Sequence, residues 1–289
     1  MSAAGGRYVE RCPVGCAAAL EPTDIVLAEG ALLRCAECGQ LVSQCTEDAY
    51  RAALTKWDTP MGTLPDARSA ARHEAVRRRW LVAILGLLGR APSAARLLDV
   101  GCSSGAFLRT AAAAGLKVAG VEPSPEAAET ARQAGFNVFG GVLEEARYPD
   151  GAFDAVTLIE LVEHLREPRV LLAECRRIVR PGGVVLVTTP NAASWTARVL
   201  GAHWEVFSLR RMGGHVSFFN PRSLALLAAR TRFAVARLET RHVRLAEKDR
   251  SPRPVYALAK LGVALLDGPS RVARAGHALS AFLRPTGAG

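Results

Sequence analysis

Three sets of residues in this chain have the types and spacing for chemistry. The first is Cys12-Pro13-Val14-Gly15-Cys16 followed by Cys35-Ala36-Glu37-Cys38, two close pairs with a hairpin-length insert between them. Four thiolates so spaced suit a tetrahedral zinc ion. The first pair has three residues between its cysteines where two are commoner, and Cys45 could compete as the fourth ligand. The second set is Leu97 to Leu108, which contains Asp99, Gly101, Cys102 and Gly105, with Glu122 about a strand and a helix further on. The third is ionisable: Glu160, Glu163 and His164 in one short run, and a lone His215 between Gly213-Gly214 and Phe218-Phe219.

The elements that must position these residues follow from pattern. Arg96 to Val100 reads as a buried strand that passes through a Gly-bracketed turn into a helix from Gly105 to Ala114. Strand 117–121, helix 125–134, strands 137–139 and 155–159, helix 168–179 and strand 184–188 continue the alternation, then helix 221–231 and strand 234–242. That rhythm predicts an α/β fold, doubly wound about a mostly parallel sheet. A helix from Asp66 to Gly89 precedes it, an apolar helix is expected near Val255 to Leu266, and Ala278 to Leu283 is expected as the last strand. Asp24–Ala28 and Ala31–Leu33 are expected to pair as a hairpin within the cysteine-rich start.

In a doubly wound sheet a nucleotide-like ligand lies at the carboxyl end of the first strand. A dinucleotide loop sets three glycines and helix N–H groups against a pyrophosphate. This loop lacks the third glycine, and its strand ends on Asp99. A carboxylate there would repel phosphate and suits a ligand carrying an ammonium and a sulfonium, as S-adenosylmethionine does. Gly101 permits the tight turn and Gly105 is expected to let the backbone approach the ligand. Glu122 can accept both ribose hydroxyls.

The residues Leu98-Asp99-Val100-Gly101-Cys102 with Gly105, Gly120-Val121-Glu122-Pro123-Ser124, Phe153-Asp154-Ala155-Val156, Glu163-His164-Leu165, Val179-Arg180-Pro181-Gly182-Gly183 and Thr189-Pro190-Asn191 occur in order. In them the chain resembles the class I S-adenosylmethionine-dependent methyltransferases over about residues 75 to 245. The resemblance implies a seven-stranded sheet, with Asp99, Gly101, Cys102 and Gly105 around the methionine part of the cofactor. It places Glu122 and Pro123 at the ribose, Val142 and Leu143 at the adenine, and Glu160 facing the cofactor. Many relatives place an Asp after the third strand; here Gly141 and Val142 stand there, and Glu144 or Glu145 could substitute.

The run Glu160-Leu161-Val162-Glu163-His164 is similar to that of the ubiquinone-pathway O-methyltransferases, a likeness that implies a divalent cation at Glu160, Glu163 and His164. The alternative reading has His164 capping the crossover helix. Gly213 to Phe219 resembles a segment of the same enzymes and of methyltransferases from sugar and polysaccharide pathways. There a Gly-Gly pair would let a lid loop bend over the site, with His215 as general base or substrate anchor. A structural zinc module ahead of the catalytic domain also recurs among such enzymes.

These observations divide the chain into a zinc-ribbon-like module at 1–48, a linker and helix at 49–95, and a methyltransferase domain at 96–289 with a helical insertion near 250–270. Length and an apolar fraction of 49% allow a full α/β core plus such a module. The formal charge of +10, from 37 Lys and Arg against 27 Asp and Glu, is compatible with acidic lipid headgroups or polyanions. Peripheral membrane contact is expected through the basic, apolar C-terminal helix. No apolar run of spanning length and no secretory leader is evident, so a cytoplasmic location is expected. The leading function is O-methylation of a small molecule or a glycan or lipid-linked precursor. One rival is RNA base methylation with the zinc ribbon docking RNA. Against it, Ile159-Glu160-Leu161-Val162 stands where an amino-directed enzyme has Asp/Asn-Pro-Pro-Tyr/Phe. A second rival is a non-catalytic module that retains the cofactor pocket.

Overall fold

A computed structural model describes residues 6–55, 67–246, 263 and 265–287. Four apolar runs with no alternation become parallel strands buried on both faces, as a sheet covered by helices requires. These are β4 (Arg96–Val100), β5 (Lys117–Glu122), β7 (Phe153–Ile159) and β8 (Val179–Pro190). With β6 (Val138–Gly140), β10 (Phe233–Arg241) and β11 (Ala278–Pro285) they form one seven-stranded sheet in the order β10-β11-β8-β7-β4-β5-β6. β11 runs antiparallel between β8 and β10; every other pairing is parallel. The expected last strand is therefore an inner one, and Leu279, Ala281 and Leu283 on it are fully buried.

Helices flank both faces. On one, α2 (Ala67–Leu88) seats Ile84 against Leu97, Phe107 and Leu186, and its Trp80 Nε1 donates to Ser280 Oγ at 3.2 Å. α3 (Ala106–Ala113) and α4 (Pro125–Gln133) cover β4 and β5. α5 (Pro168–Ile178) and α7 (Pro221–Arg230) pack on the other side through Leu171, Leu172, Leu224 and Leu227. Asp154 anchors the rim of the sheet: its carboxylate accepts from Arg90, Arg180 and the Arg96 N–H, and these bonds, against the opposing effect of burial, hold it below the usual carboxylate range. Among the described residues no helix is long and apolar enough to cross a membrane. The expected helix at 255–266, with its membrane contact, lies almost wholly outside the described residues; 265–272 are helical.

The N-terminal hairpin is longer than its pattern implied, β1 (Leu20–Leu27) against β2 (Gly30–Cys35). It continues through β3 (Leu41–Val42) to β9 (Ser217–Phe218), a strand from far along the chain. The small sheet therefore spans the boundary drawn at residue 48. Two-residue strands carry no periodic signal, and nothing in the sequence of 213–219 announces a partner at 41–42. Short helices α1 (Glu47–Leu54) and α6 (Trp195–Leu200) complete the arrangement.

Candidate active site and metal centres

The Gly-bracketed turn folds as its sequence demands. Gly101 (φ 72°) and Gly105 (φ 81°) take left-handed conformations, and Ser103 between them does so at φ 47°. The turn is held against β5 by Gly101 N–H and Cys102 N–H, both donating to the Val121 carbonyl at 2.8 and 3.1 Å. Gly105 also has a packing reason. A Cβ there would meet the Phe136 ring at 3.0 Å, so its missing side chain makes room for the residues that follow α4. Cys102 likewise turns inward, packed with Leu108, Ala128 and Ala131, and burial pushes its thiol up to about 12.

Asp99 and Glu122 end adjacent strands. Asp99 is 3% exposed and accepts a 2.6 Å bond from Thr157 Oγ1, a partner that reads in the sequence only as one more residue of an apolar strand. Burial, opposed by that bond and reinforced by the charge of Glu122, pushes its carboxyl up to about 7. Glu122 already has backbone partners. Its two oxygens take the N–H groups of Ser103 (2.8 Å) and Ser124 (2.9 Å), tying the glycine turn to the start of α4. Each oxygen keeps a second lone pair for a hydroxyl. Pro123 and Val142 are exposed beside it, whereas Leu143 points into the core at 1% exposure and can offer a ligand only its backbone. Glu145 reaches back to the Val142 N–H at 3.4 Å and closes over Gly141.

At the carboxyl end of β7 the backbone is strained. Glu160 takes φ 50°, a left-handed conformation that costs a non-glycine residue about 1–2 kcal/mol. Its N–H donates to Thr188 Oγ1 and its carboxylate accepts from the same hydroxyl, each at 3.1 Å, and the residue is exposed. Glu163 follows on a tight turn and is 1% exposed, and neither of its oxygens makes a hydrogen bond. Burial first, and then the charge of Glu160, raises its carboxyl well above the usual range.

His164 does not cap the crossover helix, whose N-cap position is Glu167. Its Nδ1 lies 3.1 Å from the Gly213 carbonyl, and its own carbonyl accepts from Tyr50 Oη at 3.0 Å. Nor is 213–219 an open lid. Val216 N–H donates to the Glu163 carbonyl, Ser43 N–H to the Val216 carbonyl, and Gly214 (φ 95°) lies against Tyr50 and Leu54 of α1. The two glycines make a close packing possible here where a hinge was expected. His215 is thereby 2% exposed, its Nδ1 3.1 Å from the Val206 carbonyl and its Nε2 3.9 Å from Glu163 Oε1. The two imidazoles meet edge to face with centroids 4.6 Å apart.

A carbonyl can only accept, so each histidine carries a proton on Nδ1. Imidazoles anchored in this manner are typical of metal ligands. One ligand atom from each of Glu163, His164 and His215 falls within 4.8 Å of the others. The expected set of Glu160, Glu163 and His164 is thus corrected in membership: His215 joins, and Glu160 lies beside the group, bonded to Thr188.

The second cluster is Cys12, Cys16, Cys35 and Cys38, all buried, with sulfurs within 4.8 Å of one another. Cys12 and Cys38 are 3.6 Å apart, and their contact lowers the Cys12 thiol while raising that of Cys38. Tetrahedral zinc with Zn–S of about 2.3 Å needs sulfurs about 3.8 Å apart, so the four can hold that ion. Cys45 does not compete: it lies in a separate core with Val42, Leu209 and Val216. The knuckle is bonded to the larger body through Asn220 Nδ2 to the Cys38 carbonyl (3.3 Å) and Arg230 to Glu37 (2.8 Å).

Comparison with known proteins agrees with this architecture. A family model described as a methyltransferase domain matches residues 72–238, more than half of the chain. A ubiquinone biosynthesis O-methyltransferase of Thiobacillus denitrificans is 33% identical over 177 residues, 57% of this chain and 74% of that protein. One of the same description from Aromatoleum aromaticum is 34% identical over 182 residues, 58% of this chain and 73% of that protein. A solved S-adenosylmethionine-dependent methyltransferase from Archaeoglobus fulgidus shares the fold with a TM-score of 0.53 at 18% identity, covering 81% of this chain and 99% of its own. Strand order, the glycine turn, the family match and these relatives converge: the chain belongs to the class I S-adenosylmethionine-dependent methyltransferases.

Proposed function

We propose that this methyltransferase methylates a hydroxyl oxygen of a small molecule or of a glycan or lipid-linked precursor. The observation that carries the reading is the Glu163–His164–His215 group just past the carboxyl end of β7, the sheet edge at which Asp99 and Glu122 also stand on the parallel strands β4 and β5. A hydroxyl is a poor nucleophile until its proton is lost, and an arrangement that promotes this loss is what O-methylation needs. Similarity to ubiquinone biosynthesis O-methyltransferases supports the same choice.

In this reading Asp99 faces the cationic methionine part of the cofactor, and the spare lone pairs of Glu122 take the ribose hydroxyls. Gly101 and Ser103 supply the turn between them, Cys102, Gly105 and Leu143 shape it from behind, and Pro123 and Val142 border the nucleoside. Glu160 is held in its strained conformation to face the reacting centre. Two unpartnered, buried carboxylate oxygens between two oriented imidazoles fit a divalent cation, which Glu163, His164 and His215 would hold. A cation bound there would supply Lewis acidity toward the acceptor hydroxyl. The acceptor oxygen, its proton released to solvent, forms its bond to the methyl carbon as the bond from that carbon to sulfur breaks in line, and alignment contributes most of the rate. His215, being buried, would act as a ligand and needs no open path to the acceptor. The four cysteines hold a structural zinc.

The test is transfer of labelled methyl from S-adenosylmethionine to pools of catechols, phenols and sugars, with and without added magnesium or manganese. Transfer to an oxygen, raised at least tenfold by the added cation, is the expected outcome; transfer to RNA bases, or none to any pool, would contradict it.

Asp99 also gives the pocket a pH dependence. A carboxyl titrating near 7 in the free protein must be ionised to receive a cationic ligand, so below that pH binding has to displace a proton. Affinity for S-adenosylhomocysteine is expected to be level above about pH 7.5 and to fall toward tenfold per unit below 7. Calorimetry between pH 6 and 8 that found a flat profile would remove Asp99 from the ligand's cationic end.

A further inference from the structure

The helix α1 begins where the cysteine-rich module ends, and Tyr50 is its one aromatic residue. The Tyr50 hydroxyl donates to the His164 carbonyl at 3.0 Å, across 114 positions of chain. The same ring packs on Gly214. A Cβ there would stand 3.0 Å from Tyr50 Cε2 and 3.1 Å from Leu54 Cδ2, and the left-handed backbone (φ 95°) favours glycine. Gly214 follows Gly213, whose carbonyl meets Nδ1 of His164, and it precedes His215. One ring therefore touches both anchors of the His164 imidazole: the backbone that carries it and the strap that its Nδ1 bonds.

Tyr50 is itself held from the N-terminal side. Its ring stacks on Tyr8 with centroids 4.1 Å apart and planes 15° from parallel. The Tyr8 N–H donates to the Cys45 carbonyl at 2.8 Å, Arg7 and Thr46 pair as an antiparallel bridge, and Thr46 caps α1 at the Ala49 N–H. The segment before Cys12 and the segment after Cys38 thus meet at this ring pair. Arg166, two residues past His164, sets its guanidinium 5.8 Å from the Tyr8 ring centroid. Packing on Gly214 would be served equally by phenylalanine. The hydroxyl adds a bond to the short turn that bears two members of the centre, Glu163 and His164.

We propose that Tyr50 is a positioning residue of the Glu163–His164–His215 group: through the His164 carbonyl and Gly214 it fixes the His164 imidazole where that group needs it, and the cysteine-rich module acts on the centre through this ring. The inference rests on the reading of the group as a cation site. It gives a task to a stretch that the sequence marks only as linker, and ligands held by such outer contacts depend on them for their orientation.

The test uses the full, zinc-retaining chain labelled with ¹⁵N-histidine. Tyr50→Phe keeps the ring and removes the hydroxyl; Gly214→Ala keeps the hydroxyl and crowds the ring. Without added cation at pH 8, the native His164 ring nitrogens, assigned by their absence from His164→Gln, should show a single Nδ1–H tautomer. In both variants they should move toward the averaged shifts of an unanchored imidazole. Manganese(II) binding, followed by electron paramagnetic resonance, should weaken about fivefold or more in Tyr50→Phe, as loss of one neutral hydrogen bond requires, with zinc content native and S-adenosylhomocysteine affinity within about twofold. Tyr148→Phe, whose ring lies against Phe153 at the opposite end of β7, should change neither reading. Native His164 signals or native manganese affinity in Tyr50→Phe would overturn the proposal, as would equal changes in Tyr148→Phe or a loss of zinc and of S-adenosylhomocysteine binding together with manganese. No manganese binding by the native chain would contradict the cation reading of the centre instead, and the His164 signals would then decide the role of Tyr50 by themselves.

Discussion

His215→Ala is expected to cut methyl transfer at least a hundredfold while leaving the affinity for S-adenosylhomocysteine within a factor of about three. Loss of one ligand from a three-residue set removes the group that promotes loss of the hydroxyl proton, and general acid–base or metal assistance of this kind accounts for about 10² to 10⁴ in rate. The proposed cofactor site is set by bonds of Asp99 to Thr157 and of Glu122 to Ser103 and Ser124, on β4, β5 and the glycine turn. His164→Ala should behave alike, because both imidazoles are oriented through Nδ1 on a carbonyl and each contributes a ligand atom to the group with Glu163. The checking measurement is turnover at saturating cofactor across a range of added magnesium or manganese. Near-normal activity in His215→Ala, or activity indifferent to the added cation in the native chain, would contradict the assignment of His215 as a ligand.

The cysteine cluster carries the second large effect. Cys35→Ser is expected to abolish retention of about one zinc per chain and to lower the thermal midpoint by roughly 10 °C or more, since structural zinc contributes several kcal/mol to folding. Sequence alone implies that such damage would stay within the first 48 residues. The structure implies a wider reach. Cys12, Cys16, Cys35 and Cys38 share one core with Leu171, Leu172, Phe219 and Leu224, and β3 carries β9, the strand that begins two residues after His215. Methyl transfer should therefore fall at least tenfold in Cys35→Ser, while cofactor affinity, set on β4 and β5, stays within about threefold. Elemental analysis, a thermal scan and both functional assays on one preparation check this. A zinc-free variant with native turnover would show that the knuckle is independent of the centre.

Much of this fold is legible in the chain because its inner strands are continuous apolar runs. Leu97 to Val100 and Val184 to Val187 could hardly be placed other than in a sheet covered on both faces. The glycine turn is legible for the same kind of reason, since a strand ending on Asp99 and bracketed by Gly101 and Gly105 has few conformations open to it. What the sequence conceals is pairing at a distance. β3 and β9 are two residues each, and their union brings His215 to Glu163 across 52 positions of chain. The sequence likewise marks His215 as unusual, flanked by glycines and phenylalanines, without saying that its Nδ1 would be occupied by a carbonyl. Glu122 illustrates a different loss: residue type announces a carboxylate at the end of β5, but only the fold brings two backbone N–H groups to share it. Thr157 and Thr188, which position Asp99 and Glu160, are ordinary strand residues until the side chains they meet are known.

The proposed chemistry requires a cationic, nucleoside-bearing cofactor lying against Asp99 and Glu122, and calorimetry at pH 8 with S-adenosylmethionine and S-adenosylhomocysteine tests that directly. The native chain should bind both. Asp99→Ala and Glu122→Ala should each weaken binding at least tenfold, as loss of a charge-assisted hydrogen bond of about 1.5–3 kcal/mol requires. Asp99→Asn, which keeps the Thr157 bond and removes only the charge, should fall with Asp99→Ala. No binding to the native chain, or equal affinity in the native chain and Asp99→Ala, would contradict the placement of the cofactor.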